Sequence, residues 1–101
     1  MYQVDILPRA QEEYEQSIFW YRERNYRASE YFMSAIEETL NSIEKNPFQF
    51  KKILENYFEA IVQDYPFSIV FIINETEFIV EVVAIYHQSR NPNQKFRSRK
   101  S

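Results

Sequence analysis

The chain has 101 residues, 45% hydrophobic and 18% aromatic, with 12 basic and 15 acidic side chains and a formal net charge of −3. That length fits one domain with one modest core, and the apolar content favours a folded globule over a disordered chain. Cysteine and glycine are both absent. This excludes disulfides, thiolate metal sites, a phosphate-cradling P-loop and a dinucleotide fingerprint, since the last two need backbone without a Cβ close to phosphate.

The opening Met1-Tyr2-Gln3-Val4-Asp5 lacks the basic start, apolar stretch and cleavage site of a signal peptide, so a cytoplasmic location is expected. Tyr2, Val4 and Ile6 alternate with Gln3, Asp5 and Leu7 and predict a short first strand. Pro8 punctuates it and suits the first turn of a helix, where its missing N–H is not needed. A first helix is predicted from about Arg9 to Arg24, with Ala10, Tyr14, Ser17, Ile18 and Tyr21 on one face. Asn25 is the expected break. A second helix is predicted from Tyr26 to Lys45, its apolar stripe running through Ala28, Phe32, Ala35, Ile36, Leu40 and Ile43. Asn46-Pro47 stops it. So short a link predicts an antiparallel helix hairpin.

Phe48 to Asn56 is expected to be a loop with room for one helical turn. The texture then becomes aromatic and β-branched. Tyr57–Gln63 reads as a strand, Pro66 as a bend, and Phe67–Ile73 as another strand. That last run is the longest apolar one, and it is far too short to cross a bilayer, so no membrane partner is expected. Asn74-Glu75-Thr76 predicts a tight turn, with Asn74 taking positive φ in place of glycine, and Glu77–Tyr86 reads as the closing strand. From His87 to Ser101 there are five basic residues, Arg90, Lys95, Arg97, Arg99 and Lys100, and no acidic one. Such an end is either a solvated tail or a patch that meets an anionic partner.

The expected class is α+β in the order β-α-α-β-β-β, a single domain with a short basic tail from about residue 91. The helix hairpin should pack on one face of a small curved antiparallel sheet.

Four segments carry a resemblance. Pro8-Arg9-Ala10 precedes Tyr14 and Trp20-Tyr21. Ala28, Phe32, Ile36, Leu40 and Ile43 lead to Pro47. Tyr65-Pro66-Phe67 precedes Ile69 and Phe71. Val83 to Pro92 ends in a His-x-x-Arg-x-Pro segment, His87 to Pro92. In this order and spacing they resemble the RelE/ParE superfamily, the toxins of type II toxin–antitoxin (plasmid stabilisation) systems. The resemblance covers nearly the whole chain. It implies growth inhibition, a cognate antitoxin that wraps the toxin, and one of two targets. ParE-like members inhibit DNA gyrase by binding; RelE-like members cleave mRNA on the ribosome. Neither a metal nor a small-molecule cofactor is implied.

RNA cleavage through the 2′-hydroxyl needs a base, an acid and cations for the phosphorane charge. His87 suits an acid role and Arg90 could hold phosphate; these are the catalytic candidates if the chain is a ribonuclease. Glu81 shares parity with His87 in a regular strand, about 20 Å away at roughly 3.3 Å per residue, too far for direct cooperation. Tyr86 alternates to the other face. Ribonuclease members of the superfamily, and many of its other members, carry arginine or lysine before the aromatic-Pro-aromatic motif; here Tyr57 to Asp64 holds two acids, Glu59 and Asp64, and no base. A carboxylate near phosphate repels it. The ParE-like branch is therefore favoured, with His87, Arg90, Lys95, Arg97 and Arg99 as target contacts. Lys51 and Lys52 could still fold inward and restore cations to a ribonuclease site. Phe19, Trp20 and Phe58 are candidates for the antitoxin surface, since apolar residues off the main stripe need burial against something. A structural role for a strand-end histidine is the alternative, and a member that binds its antitoxin without harming the cell stands as a third reading.

Overall fold

The computed structural model describes residues 1–89. Strand β1 spans Gln3–Ile6, helix α1 Pro8–Arg24 and helix α2 Tyr26–Lys45. A single 3-10 turn, Pro47–Gln49, leads into β2 (Lys51–Leu54), β3 (Tyr57–Ile61), β4 (Phe67–Asn74) and β5 (Ile79–His87). Among the described residues no helix is long and apolar enough to cross a membrane.

Local chemistry fixes the hairpin. Pro8 occupies the first turn of α1, where a donor is not required. Asn25 serves both helices: its N–H donates to the Tyr21 carbonyl and closes α1. Its Oδ1 accepts from the N–H groups of Arg27 and Ala28, satisfying two orphan donors of α2. One extended residue thus reverses the chain without glycine. α2 ends at Asn46, whose N–H reaches the Ser42 carbonyl, with Pro47 buried just beyond.

The sheet runs β1-β5-β4-β3-β2. Strands β2 to β5 form the expected antiparallel meander, extended by β2, which lies where a loop was expected. β1 pairs with β5 in parallel, from Gln3 opposite Ile79 to Ile6 opposite Val82, so the sheet is mixed rather than wholly antiparallel. The reason is topological. The hairpin returns the chain to the start of β1, where the Tyr2 N–H donates to the Glu44 carbonyl. Three antiparallel reversals then leave β5 running along β1.

The core lies between the helices and one face of the sheet. Phe32, Ile36 and Ile43 of α2 and Ala10 of α1 meet Ala60, Phe67, Ile69, Phe71, Val80, Val82 and Ile85, all buried. Phe32 is its hub: its ring stacks on Tyr21 at 4.7 Å and meets Phe67 at 4.8 Å and Tyr65 at 5.6 Å. Among the described residues the opposite face carries no helix. Val70, Ala84 and Tyr86 cluster there with Ile53, Tyr57 and Val83.

Turns without glycine use left-handed backbone at other residues: Glu55 (φ 49°), Asp64 (φ 69°) and Phe78 (φ 55°). Asn74 does not take that role. It stays in β4, and its Oδ1 accepts from the Glu77 N–H. The positive φ falls on Phe78, an uncommon place for an aromatic residue. The Tyr2 ring lies 5.3 Å from it, and its carbonyl accepts from the Gln3 N–H.

Candidate functional site

β5 is nine residues long and β1 only four. Past Val82, whose carbonyl accepts from the Leu7 N–H, β1 no longer covers the β5 edge. α1 takes its place: Glu13 Oε1 accepts from the Ile85 N–H at 2.9 Å. A helix carboxylate thereby completes the ladder that β1 leaves unfinished.

A bulge at the same point sets which side chains face where. Val70 lies opposite Ala84, but Phe71 lies opposite Val82, so Val83 is an extra residue. The extra residue reverses the alternation beyond it. Glu81 pairs with Ile72 and points to the helix-free face, whereas His87 pairs with Phe67 and points toward the helices. The shared face expected for Glu81 and His87 is therefore corrected: the two lie on opposite faces, because regular alternation fails at Val83. Tyr86 does face away from His87, as expected.

His87 is half-buried at the end of β5. Its ring meets Phe67 edge-on at 5.1 Å. Nδ1 accepts from the Ser89 N–H at 3.2 Å and lies 3.0 Å from Ser89 Oγ. With Ser17, Trp20, Tyr21 and Phe67 it lines a largely apolar cavity of about 230 Å3 beneath the C-terminal half of α1. Arg90, Lys95, Arg97 and Arg99 lie outside the described residues.

On the helix-free face Glu59 accepts from the Tyr86 hydroxyl at 3.1 Å. Lys51 of β2 lies directly opposite Glu59 in register, and Lys52 opposite Phe58. Lys51 thus stands beside the carboxylate that sequence reading left without a cation. Nearby, Gln88 Nε2 donates to the buried Ser68 Oγ.

Of the three aromatic residues expected at a partner surface, Phe19 and Trp20 are exposed on α1 (60% and 46%). Phe58 is half-buried, its ring stacked on Phe71 at 5.6 Å, and belongs to the helix-side core. The Arg24 guanidinium lies 3.6 Å from the Trp20 ring centroid and donates to the Trp20 carbonyl. Tyr26 and Tyr31 of α2 are equally exposed. Sequence reading passed over both; the available signal was that neither falls on the Ala28–Ile43 stripe.

The titration of Tyr14 is displaced upward, first by burial of the phenol and second by the Glu37 carboxylate. It is a packing group under the hairpin, remote in role from His87.

The sequence pattern describing the ParE toxin of type II toxin–antitoxin systems matches residues 4–92. No curated protein is significantly similar in sequence. Among solved structures, the chromosomal ParDE toxin–antitoxin system of P. aeruginosa superposes with a TM-score of 0.73 at 12% identity, covering 86% of this chain and 96% of that one. The intact E. coli RelBE toxin–antitoxin complex gives a TM-score of 0.61 at 15% identity, over 89% of this chain and 100% of that one. The isolated E. coli RelE toxin gives 0.61 at 14% identity, over 99% and 98%. At such identities the likeness to these structures is one of fold.

Proposed function

From the premise that the chain belongs to the ParE toxin family of type II toxin–antitoxin systems, we propose that it is the growth-inhibiting toxin of such a module, silenced by a cognate antitoxin and acting by binding DNA gyrase. The observation that carries the choice of target is the division of titratable groups between the sheet faces. His87 faces the cavity under α1, whereas Glu59 and Glu81 lie on the helix-free face, and Glu13, the carboxylate on the His87 side, is engaged by the Ile85 N–H and by Arg9. An acid and a base that act on one phosphodiester must both reach it, and a sheet separates these. The one carboxylate beside Tyr86 is engaged by its hydroxyl. A binding mode needs no such constellation. In it, His87 and the cationic Arg90, Lys95, Arg97 and Arg99 meet the target, while the exposed Phe19 and Trp20 contribute to the antitoxin surface. Phe58, packed on Phe71, is left out of that surface.

The test is a supercoiling assay with purified gyrase from the host. The toxin at micromolar concentration should inhibit, and replacing Arg90, Lys95, Arg97 and Arg99 by alanine should relieve the inhibition. Full supercoiling in the presence of the unaltered toxin would refute the gyrase reading.

The fold likeness to E. coli RelE over 99% of this chain keeps a second reading in view, a ribosome-dependent mRNA endonuclease with His87 and Arg90 at its centre. Primer extension on translated messages would then show cuts that vanish in His87→Ala. Normal growth on induction without antitoxin would instead point to a member that has lost toxicity.

A further inference from the structure

The tip of the helix hairpin gathers arginines. Arg22 and Arg24 lie in the last turn of α1 and Arg27 in the first turn of α2, all exposed. Among the described residues none of the three takes part in an ion pair, although Glu23 and Glu30 stand close by in the chain. Arg22 and Arg24 complement the negative end of α1. Arg27 stands at the positive end of α2, where the helix dipole disfavours a cation, so its place there gains nothing for the helix.

Two of these cations lie against exposed rings. The Arg24 guanidinium is 3.6 Å from the Trp20 ring centroid, and that of Arg22 is 5.8 Å from the Tyr26 centroid. Trp20 and Tyr26 are 46% and 63% exposed. Each pair holds a positive charge and an aromatic face together in solvent. A nucleotide of an unpaired strand offers the complement of both, a phosphate and a base. An acidic peptide answers the guanidinium groups alone, and a duplex keeps its base faces closed.

The tip shares one end of the molecule with the end of β5, since Trp20 and Tyr21 line a cavity with His87. Beyond Ser89 the sequence continues with Arg90, Lys95, Arg97, Arg99 and Lys100 and no acid. In a chain of net charge −3, three of the 12 basic side chains are thus at the tip and five more follow the strand that ends beside it.

We propose that the hairpin tip is a contact surface for single-stranded DNA, with Arg22, Arg24 and Arg27 on phosphates and Trp20 and Tyr26 against bases. This contact is additional to the gyrase reading and does not depend on it. An enzyme that acts on DNA would present protein and strand to the same end of the toxin. Trp20 also belongs to the flank proposed for the antitoxin, so the two occupants exclude each other there.

Trp20 is the single tryptophan of the chain, so its fluorescence reports on the tip. Titration of the full chain with a thymidine oligonucleotide of about 12 residues should quench that emission, while a dye-labelled copy gains anisotropy. The triple variant Arg22→Gln/Arg24→Gln/Arg27→Gln should weaken binding roughly tenfold or more at low salt. It should also reduce the slope of log K against log salt by about 2, from three phosphates at about 0.7 each. Tyr26→Ala should weaken binding with the slope unchanged, and it decides the matter if melting shows the triple variant unfolded. Unaltered affinity in the folded variants overturns the proposal, as does binding that leaves Trp20 emission unchanged. Displacement of the strand by an equal charge of polyglutamate shows a site for any polyanion and overturns it too. So does tenfold tighter binding of an RNA of the same length. Gyrase inhibition by a chain that does not bind the strand removes this inference and leaves the gyrase reading; strand binding with full supercoiling does the reverse.

Discussion

Glu13 ties α1 to the end of β5, and removing it tests whether that tie positions the strand. Its Oε1 accepts from the Ile85 N–H at 2.9 Å, and Ile85 is fully buried. Glu13→Ala leaves a buried donor without its carboxylate acceptor. A hydrogen bond to a charged group contributes about 1.5–3 kcal/mol. The accompanying contact from Arg9 Nε to Glu13 Oε2 is long, at 3.8 Å, and Arg9 is 38% exposed, so it adds at most a few tenths. The expected loss is therefore about 2–3 kcal/mol, a large part of the roughly 5–15 kcal/mol available to a domain. At about 4–8 °C per kcal/mol for a domain of this size, the melting temperature should fall by roughly 10–20 °C. Glu13→Gln keeps a carbonyl acceptor and should lose about half as much. Urea unfolding followed by circular dichroism gives both values, provided the slope with denaturant is unchanged. A loss below about 0.5 kcal/mol in Glu13→Ala, or equal losses in the two variants, would refute the bond as the source of the strand's position.

Phe32→Ala should cost about 3–5 kcal/mol, since the ring is fully buried among Tyr21, Tyr65 and Phe67; a urea midpoint close to the parent's would contradict its place at the centre of the core. Asn25→Ala removes the side-chain cap of α2 and should cost about 1 kcal/mol, read as a shift in melting temperature. Tyr14 holds its proton more tightly folded than unfolded. Its contribution is therefore fully present below the ordinary tyrosine value and is lost as pH rises through the higher folded value. Stability measured at a series of pH values above about 10 should fall less steeply in Tyr14→Phe than in the parent; parallel curves would count against the assigned shift.

The hairpin was legible because several signals agree there. The Ala28–Ile43 stripe, Asn25 before it and Asn46-Pro47 after it mark α2 at Tyr26–Lys45, as observed. β2 was not legible. Lys51-Lys52-Ile53-Leu54 is four residues long, lies at the sheet edge, and has its register broken between Lys52 and Leu54. No alternation survives in so short and irregular a strand. The parallel pairing of β1 was hidden for another reason: it depends on how many times the chain reverses, and that count changed with β2.

The bulge at Val83 was the most consequential thing the sequence concealed. Val80 to Ile85 is apolar on both sides of the sheet except for Glu81, so its pattern carries no parity to read. One extra residue there sends Val80, Val82, Ile85 and His87 to the helix side and Glu81, Ala84 and Tyr86 to the other. The helix side past the bulge is where β1 has ended and Glu13 holds the strand. On the edge that β1 leaves, the end of β5 is therefore held by α1, while β4 pairs with its other edge. His87 reaches a cavity edged by Ser17, Trp20 and Tyr21 of that same helix. A contact that shifts α1 acts on both of these at once, through Glu13 on the strand and through Trp20 and Tyr21 on the cavity.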